Sequence, residues 1–248
     1  PHCLLNEHSA IPDTECPQNT HSIVSKCKEE DYYEHNHSGT RKRTHPIFIA
    51  MLLALCAAVP LLVRAAVHSG VKSLTAMTVF MISMVLLYAA STIYHSVNCS
   101  GRILRIFRKM DHMMIFILIA GTYTPVCLLT LPKPSGLMLL AAVWELRWSE
   151  FLSKASGSPV QNVASFVYIA MGWSCLSVLG QLFSLLPLHA FLWLLAGGLI
   201  YTAGGIIYAL RLPLFDARHP MFGLHEIFHL FVMAGSLCHF VFMFCYLA

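Results

Sequence analysis

Apolar residues in this chain fall into long runs separated by short polar breaks. The runs are Pro46–Val67, Leu74–Val97, Met113–Leu131, Val163–Leu186, Ala190–Leu210 and Leu224–Leu247. Each is about 20 residues long, which at ~1.5 Å per residue covers a hydrocarbon core of ~30 Å. The breaks carry turn chemistry: His68-Ser69-Gly70, Asn98-Cys99-Ser100-Gly101, Pro132-Lys133-Pro134, Ser156-Gly157-Ser158-Pro159, Pro187 and Pro213. In lipid a single segment satisfies its own backbone only as a helix, so six transmembrane helices are predicted.

A seventh candidate, Gly136–Leu152, begins apolar but meets Glu145, Arg147 and Glu150. Each such charge near a span centre costs ~2.5–3.5 kcal/mol on insertion scales. The distribution of Lys and Arg decides the count. With seven spans and the N-terminus inside, thirteen basic residues lie on the cytosolic side and only Arg64, Lys72 and Lys133 lie outside. If Gly136–Leu152 does not cross, every later loop changes side and the split falls to nine against seven. The positive-inside rule therefore favours an all-α, seven-transmembrane helix bundle with a cytosolic N-terminus.

Composition agrees. Hydrophobic residues make up 57% and charged residues 11%, the latter less than half the ~25% of soluble domains. The formal charge of +4 is no nucleic-acid footprint. Residues 1–45 are polar and end in Arg41-Lys42-Arg43, which reads as a disordered cytosolic tail before a membrane domain at 46–248. No apolar segment in that tail resembles a signal peptide. The nine cysteines show no C-x-x-C spacing. Cys3, Cys16 and Cys27 with nearby His21, His35 and His37 fit no standard zinc finger, and the five cysteines inside apolar runs read as packing residues. Gly197, Gly198, Gly204 and Gly205 predict close helix contact in the sixth span.

The chemistry concentrates at one membrane depth. The second span ends in Ser91-Thr92-Ile93-Tyr94-His95, with Ser91 and His95 on one face. Asp111-His112 stand where the third apolar run begins, after a basic loop. The last span opens with His225-Glu226-Ile227-Phe228-His229, whose histidines share a face at i, i+4, the spacing that offers two imidazoles to one metal. Under the seven-span topology all three sites face the cytosolic leaflet. Three neutral imidazoles and a water form an open zinc site. The bland readings are that Asp111 caps its helix, that His112 and His219 are loop residues, and that His239, ~15 Å beyond His229, is a neutral, hydrogen-bonded histidine out of reach of the same metal.

These motifs, together with D-H-M-M-I-F-I-L-I-A-G-T-Y-T-P (111–125), Y-I-A-M-G-W (168–173) and L-W-L-L-A-G-G-L-I-Y-T-A-G (192–204), resemble the hemolysin III family, with the progestin and adipoQ receptors and the alkaline ceramidases as wider relatives. The resemblance runs from Thr44-His45 to the end of the chain. It implies seven helices in the cell membrane and a zinc ion held by His95, His225 and His229. Asp111 would contact the zinc-bound water and Ser91 would stand beside it. It also implies amide hydrolysis in lipids. Two stretches depart from the family pattern. His37–Arg43 replaces an acidic, Asn-containing motif before the first span, and Glu145–Glu150 interrupts a normally apolar fourth span.

The sequence thus points first to zinc-assisted hydrolysis of a lipid amide or ester, with Asp111 and Ser91 as catalytic residues. A non-enzymatic receptor or membrane-stress sensor with structural zinc is the alternative, and pore formation is a third reading. H-E-x-x-H chemistry with Glu226 as base and Asp111 as an extra ligand is a fourth, which leaves His95 unexplained. Membrane lipid is the expected partner, and no nucleic acid is expected.

Overall fold

The computed structural model describes residues 44–97, 101–155, 170–210 and 224–248, and among them no β-strand occurs. Seven helical segments are described. They are α1 (Thr44–His68), α2 (Gly70–Ser96), α3 (Gly101–Pro125), α4 (Lys133–Ala155), α5 (Ala170–Leu185), α6 (Leu188–Leu210) and α7 (Leu224–Phe242). A π-helical turn extends α3 through Val126–Thr130 and another closes α7 at Met243–Leu247. The polar stretch 1–43 and the breaks at 98–100, 156–169 and 211–223 lie outside the described residues.

Five of these helices are long and apolar enough to cross a bilayer: Pro46–His68, Gly70–Ser96, Ile106–Thr130, Leu188–Leu210 and Ile227–Leu247. The described part of the fifth predicted span is a shorter apolar helix. The α4 segment runs for 23 residues without a break through Glu145, Arg147 and Glu150, so these charges do not interrupt the helix although they lower its apolarity. Large apolar side chains project outward all along the bundle, including Leu53, Val59 and Val67 of α1, Met138 of α4 and Leu237 of α7. An exterior this apolar is stable against lipid rather than water. The chain is a multi-pass integral membrane protein.

α2 and α3 form the middle of the bundle. Half of each span is buried, against 17% of α1, and Met77, Phe80, Leu87 and Leu118 are fully enclosed. The α1–α2 reversal takes two residues, Ser69 and Gly70, with Gly70 at φ +74°, a left-handed conformation that glycine adopts without a side-chain clash. Leu131-Pro132 and Leu186-Pro187 separate the next helices at the predicted proline breaks.

Polar side chains tie neighbouring spans together. Trp144 Nε1 donates to Thr124 Oγ1 at 3.3 Å, and Ser135 Oγ donates to Gln181 Oε1 at 2.9 Å. Trp173–Val178 is a 3₁₀ stretch inside α5. Tyr123 of α3 serves the backbone there: its hydroxyl donates to the Gly172 carbonyl at 2.6 Å and accepts from Cys175 N–H at 2.9 Å. Irregular backbone at membrane depth is tolerated where protein satisfies it in this way.

One expectation needs correction. The basic stretch before Asp111 is not a loop, because α3 is helical from Gly101. Asp111 therefore stands in the eleventh position of a long helix, and its reading as an N-cap is overturned.

Candidate metal centre

The end of α2, the first half of α3 and the start of α7 meet around His229. Ser91 Oγ lies 3.1 Å from His229 Nε2, a hydrogen bond. Asp111 Oδ2 lies 4.0 Å from the same nitrogen. The His95 ring stands edge-on to that of His229, with centroids 5.8 Å apart and planes at 81°. None of the four is more than 5% exposed.

Helical period explains how each side chain arrives. Ser91 and His95 continue the buried stripe of Met84, Leu87 and Tyr88 on α2. His229 heads the buried stripe of Val232, Ser236 and His239 on α7, at i, i+3, i+7 and i+10. On α3, Asp111 lies two turns before the enclosed Leu118. Charge placed at such depth is costly, so its partners define what the site can do.

Four of the five predicted site residues are thus brought together. The backbone places His225 in the first turn of α7, one turn before His229, and its side chain lies outside the described residues. His219 and the N-terminal cysteines and histidines lie outside them too. Among the described residues, no three His, Cys, Asp or Glu side chains form a complete metal-binding group.

The donors present nonetheless fit zinc. Two imidazoles bound tetrahedrally at ~2.0–2.1 Å put their ring centres roughly 5 Å apart, close to the observed 5.8 Å. The 4.0 Å between Asp111 Oδ2 and His229 Nε2 is too long for a direct hydrogen bond and suits a carboxylate that reaches a ligand through water.

Surrounding residues that the sequence did not assign to the site pack around it. His112 is helical rather than a loop residue. Its Nδ1–H donates to the Arg108 carbonyl at 2.9 Å. In the neutral tautomer this leaves Nε2 to accept from Tyr208 O–H at 3.1 Å, which ties α3 to α6. Phe228 packs on both Tyr208 and His229, with ring centroids at 5.1 and 5.8 Å. Arg108 Nε donates to the hydroxyl of Tyr94, whose ring lies 4.9 Å from that of His95. The i, i+4 spacing of Arg108 and His112 was the available signal.

Phe228 also lines a partly open cavity bordered by α3 to α7, with walls dominated by apolar side chains. Along α7 it runs from Phe228 through Val232 to His239, and along α3 from Ile115 to Val126, a length of ~16 Å. His239 is buried as expected, but the expected hydrogen bond is not found, since Nδ1 has no partner.

Comparison with known proteins gives the family. The family model described as "Haemolysin-III related" matches residues 37–240. The chain is 36% identical over 189 residues to "Hemolysin-3" of Bacillus cereus, covering 76% of this chain and 82% of that protein. It is 34% identical over 189 residues to "Hemolysin-3 homolog" of Bacillus subtilis (strain 168), covering 76% of this chain and 84% of the relative. The matched range 37–240 spans the whole candidate site, and the chain belongs to the haemolysin III-related family.

Proposed function

We propose that this protein is a zinc-dependent hydrolase of membrane-lipid amides or esters, acting at the cytosolic face of the cell membrane. The observation that carries this reading is the burial of Ser91 and Asp111 beside His229 Nε2, next to a long apolar cavity that begins at the adjoining Phe228. In this reading the chain spans the membrane seven times with a cytosolic N-terminus, the topology that the thirteen-to-three charge split favours.

His95, His225 and His229 would hold the zinc. When bound, it supplies Lewis acidity that activates water and polarises a carbonyl. Asp111, one water's width from His229 Nε2, orients the attacking water and accepts its proton. Ser91 Oγ donates to the oxyanion that develops on the substrate carbonyl. The apolar cavity takes the acyl chain, which places the scissile bond at its cytosolic end.

The test uses purified protein in nanodiscs with fluorescent lipid amides and esters. Wild-type protein should turn one class over. Asp111→Asn should keep its zinc and its thermal stability while losing ~10²–10⁴-fold in rate. Zinc at full occupancy with no turnover of either class in wild-type protein would overturn the hydrolase reading in favour of a receptor or sensor with structural zinc. Steady conductance in pure bilayers would favour a pore.

A further inference from the structure

Among the described residues, the polar side chains lining the cavity are, with one exception, satisfied within the protein. Thr122 Oγ1 donates to the Leu118 carbonyl at 2.8 Å, and Trp173 Nε1 donates to Thr202 Oγ1 at 2.9 Å. Tyr201 O–H pairs with Ser236 Oγ at 2.9 Å, and Tyr123 is occupied by the α5 backbone. The exception is His239. It is 5% exposed, lines the far end of the cavity, and its Nδ1 has no hydrogen-bond partner.

The His239 ring is fixed on two sides. It lies 5.2 Å from the Tyr201 ring, and a methyl group added at Gly197 would come within 2.7 Å of Nε2. Glycine at 197 is therefore what admits the imidazole at this position. A polar group held in an apolar enclosure without a partner is destabilising unless something completes it. A lone water is a poor candidate, because a buried water needs two to four polar partners and its other neighbours here are already engaged. A ligand held in place by its own chain has no such requirement.

We infer that His239 reads a hydroxyl group on the bound chain, so that the preferred acyl group is hydroxylated far from its head. This rests on the acyl-chain occupancy proposed above. His239 lies ten residues beyond His229, ~15 Å along the helix. An extended chain gains ~1.2 Å per bond, since three backbone bonds span ~3.6 Å. The hydroxyl therefore belongs at about the twelfth carbon. A hydroxyl suits the imidazole in either tautomer because it both donates and accepts, whereas an ionised group would be costly in this enclosure.

Wild-type protein in nanodiscs is titrated with dodecanoic, 6-hydroxydodecanoic and 12-hydroxydodecanoic acids in competition with a fluorescent fatty acid. The 12-hydroxy chain should bind about tenfold tighter than the unmodified chain, and the 6-hydroxy chain should bind no tighter than the unmodified one. His239→Leu should bind dodecanoic acid at least as well as wild type and lose the 12-hydroxy preference. Equal binding of all three acids to wild type would overturn the role of His239 and leave the acyl cavity standing. So would a 12-hydroxy preference that survives in His239→Leu. Displacement of the probe by none of them would overturn the acyl reading and this inference with it. The positional series in wild type remains decisive if His239→Leu does not fold.

Discussion

Gly204 offers the sharpest test of how α7, and with it His229, is held. A Cβ at this position on α6 would lie 2.6 Å from Cβ of Phe231 and 3.2 Å from its Cγ. Non-bonded carbons prefer ~3.5–4.0 Å, so the shortfall is about 1 Å. The atom in the way is one bond from the α7 backbone, and no rotamer change moves it. Gly204→Ala must therefore shift α7 itself, at a cost of ~1–3 kcal/mol for overpacking, partly offset by up to ~1 kcal/mol of helix propensity. Gly198→Ala is the control, because it receives the same propensity gain on the same helix and its Cβ would meet nothing within 4 Å. The difference between the two variants isolates the packing cost. At ~2–4 °C per kcal/mol for a chain of this size, it amounts to a gap of roughly 2–12 °C in melting temperature. Thermal unfolding of both proteins in the same detergent reads it directly, with zinc content measured alongside. Equal melting temperatures for Gly204→Ala and Gly198→Ala would refute the close α6–α7 contact and the helix shift derived from it.

Ser91→Ala removes the group 3.1 Å from His229 Nε2 without touching a proposed zinc ligand. Zinc content should be kept in chelator competition while turnover falls ~10²–10³-fold, whereas an unchanged rate would mean that Ser91 does not stabilise the oxyanion. For topology, Lys109→Cys should react with a membrane-impermeant thiol reagent only from the cytosolic side and Lys133→Cys only from outside. Labelling of both from one side would refute the seven-span orientation.

Hydropathy made the helices legible and failed at one boundary for a physical reason. Arg102, Arg105, Arg108 and Lys109 end an apolar run, yet arginine and lysine are good helix formers. The finer signal lay in Ile103, Ile106, Phe107 and Met110, spaced i, i+3, i+4, i+7 among the basic residues, which is the pattern of an amphipathic helix. In the structure Ile103, Ile106 and Met110 remain exposed on α3. Similarly, Glu145 and Arg147 weakened the fourth span in sequence but do not break its helix. His95, Asp111 and His229 could be selected because ionisable groups at membrane depth are rare, and Ser91 because it shares a helix face with His95. The cavity could not be selected, because its walls are ordinary apolar residues drawn from five helices. Of the four glycines expected to pack closely, Gly197, Gly204 and Gly205 are buried and Gly198 borders the cavity, a distinction that i, i+1 pairs in sequence do not carry.

The satisfied polar groups also bear on how a protein of this family relates to the haemolysin name of its relatives. A water-filled channel needs polar groups that face the lumen with hydrogen-bonding capacity to spare. Thr122 and Thr202 donate back to their own helices, Trp173 donates to Thr202, and Tyr201 is paired with Ser236. The remaining walls are dominated by leucine, isoleucine, valine and phenylalanine, which offer water no hydrogen bonds. Water therefore has little to gain along the ~16 Å path from Phe228 to His239, whereas a hydrocarbon chain would regain dispersion contacts along its whole length. In the proposed function the cavity would take an acyl chain and the buried Ser91–His229–Asp111 cluster would face its head, a pairing of shape and chemistry that an ion-conducting path would not require.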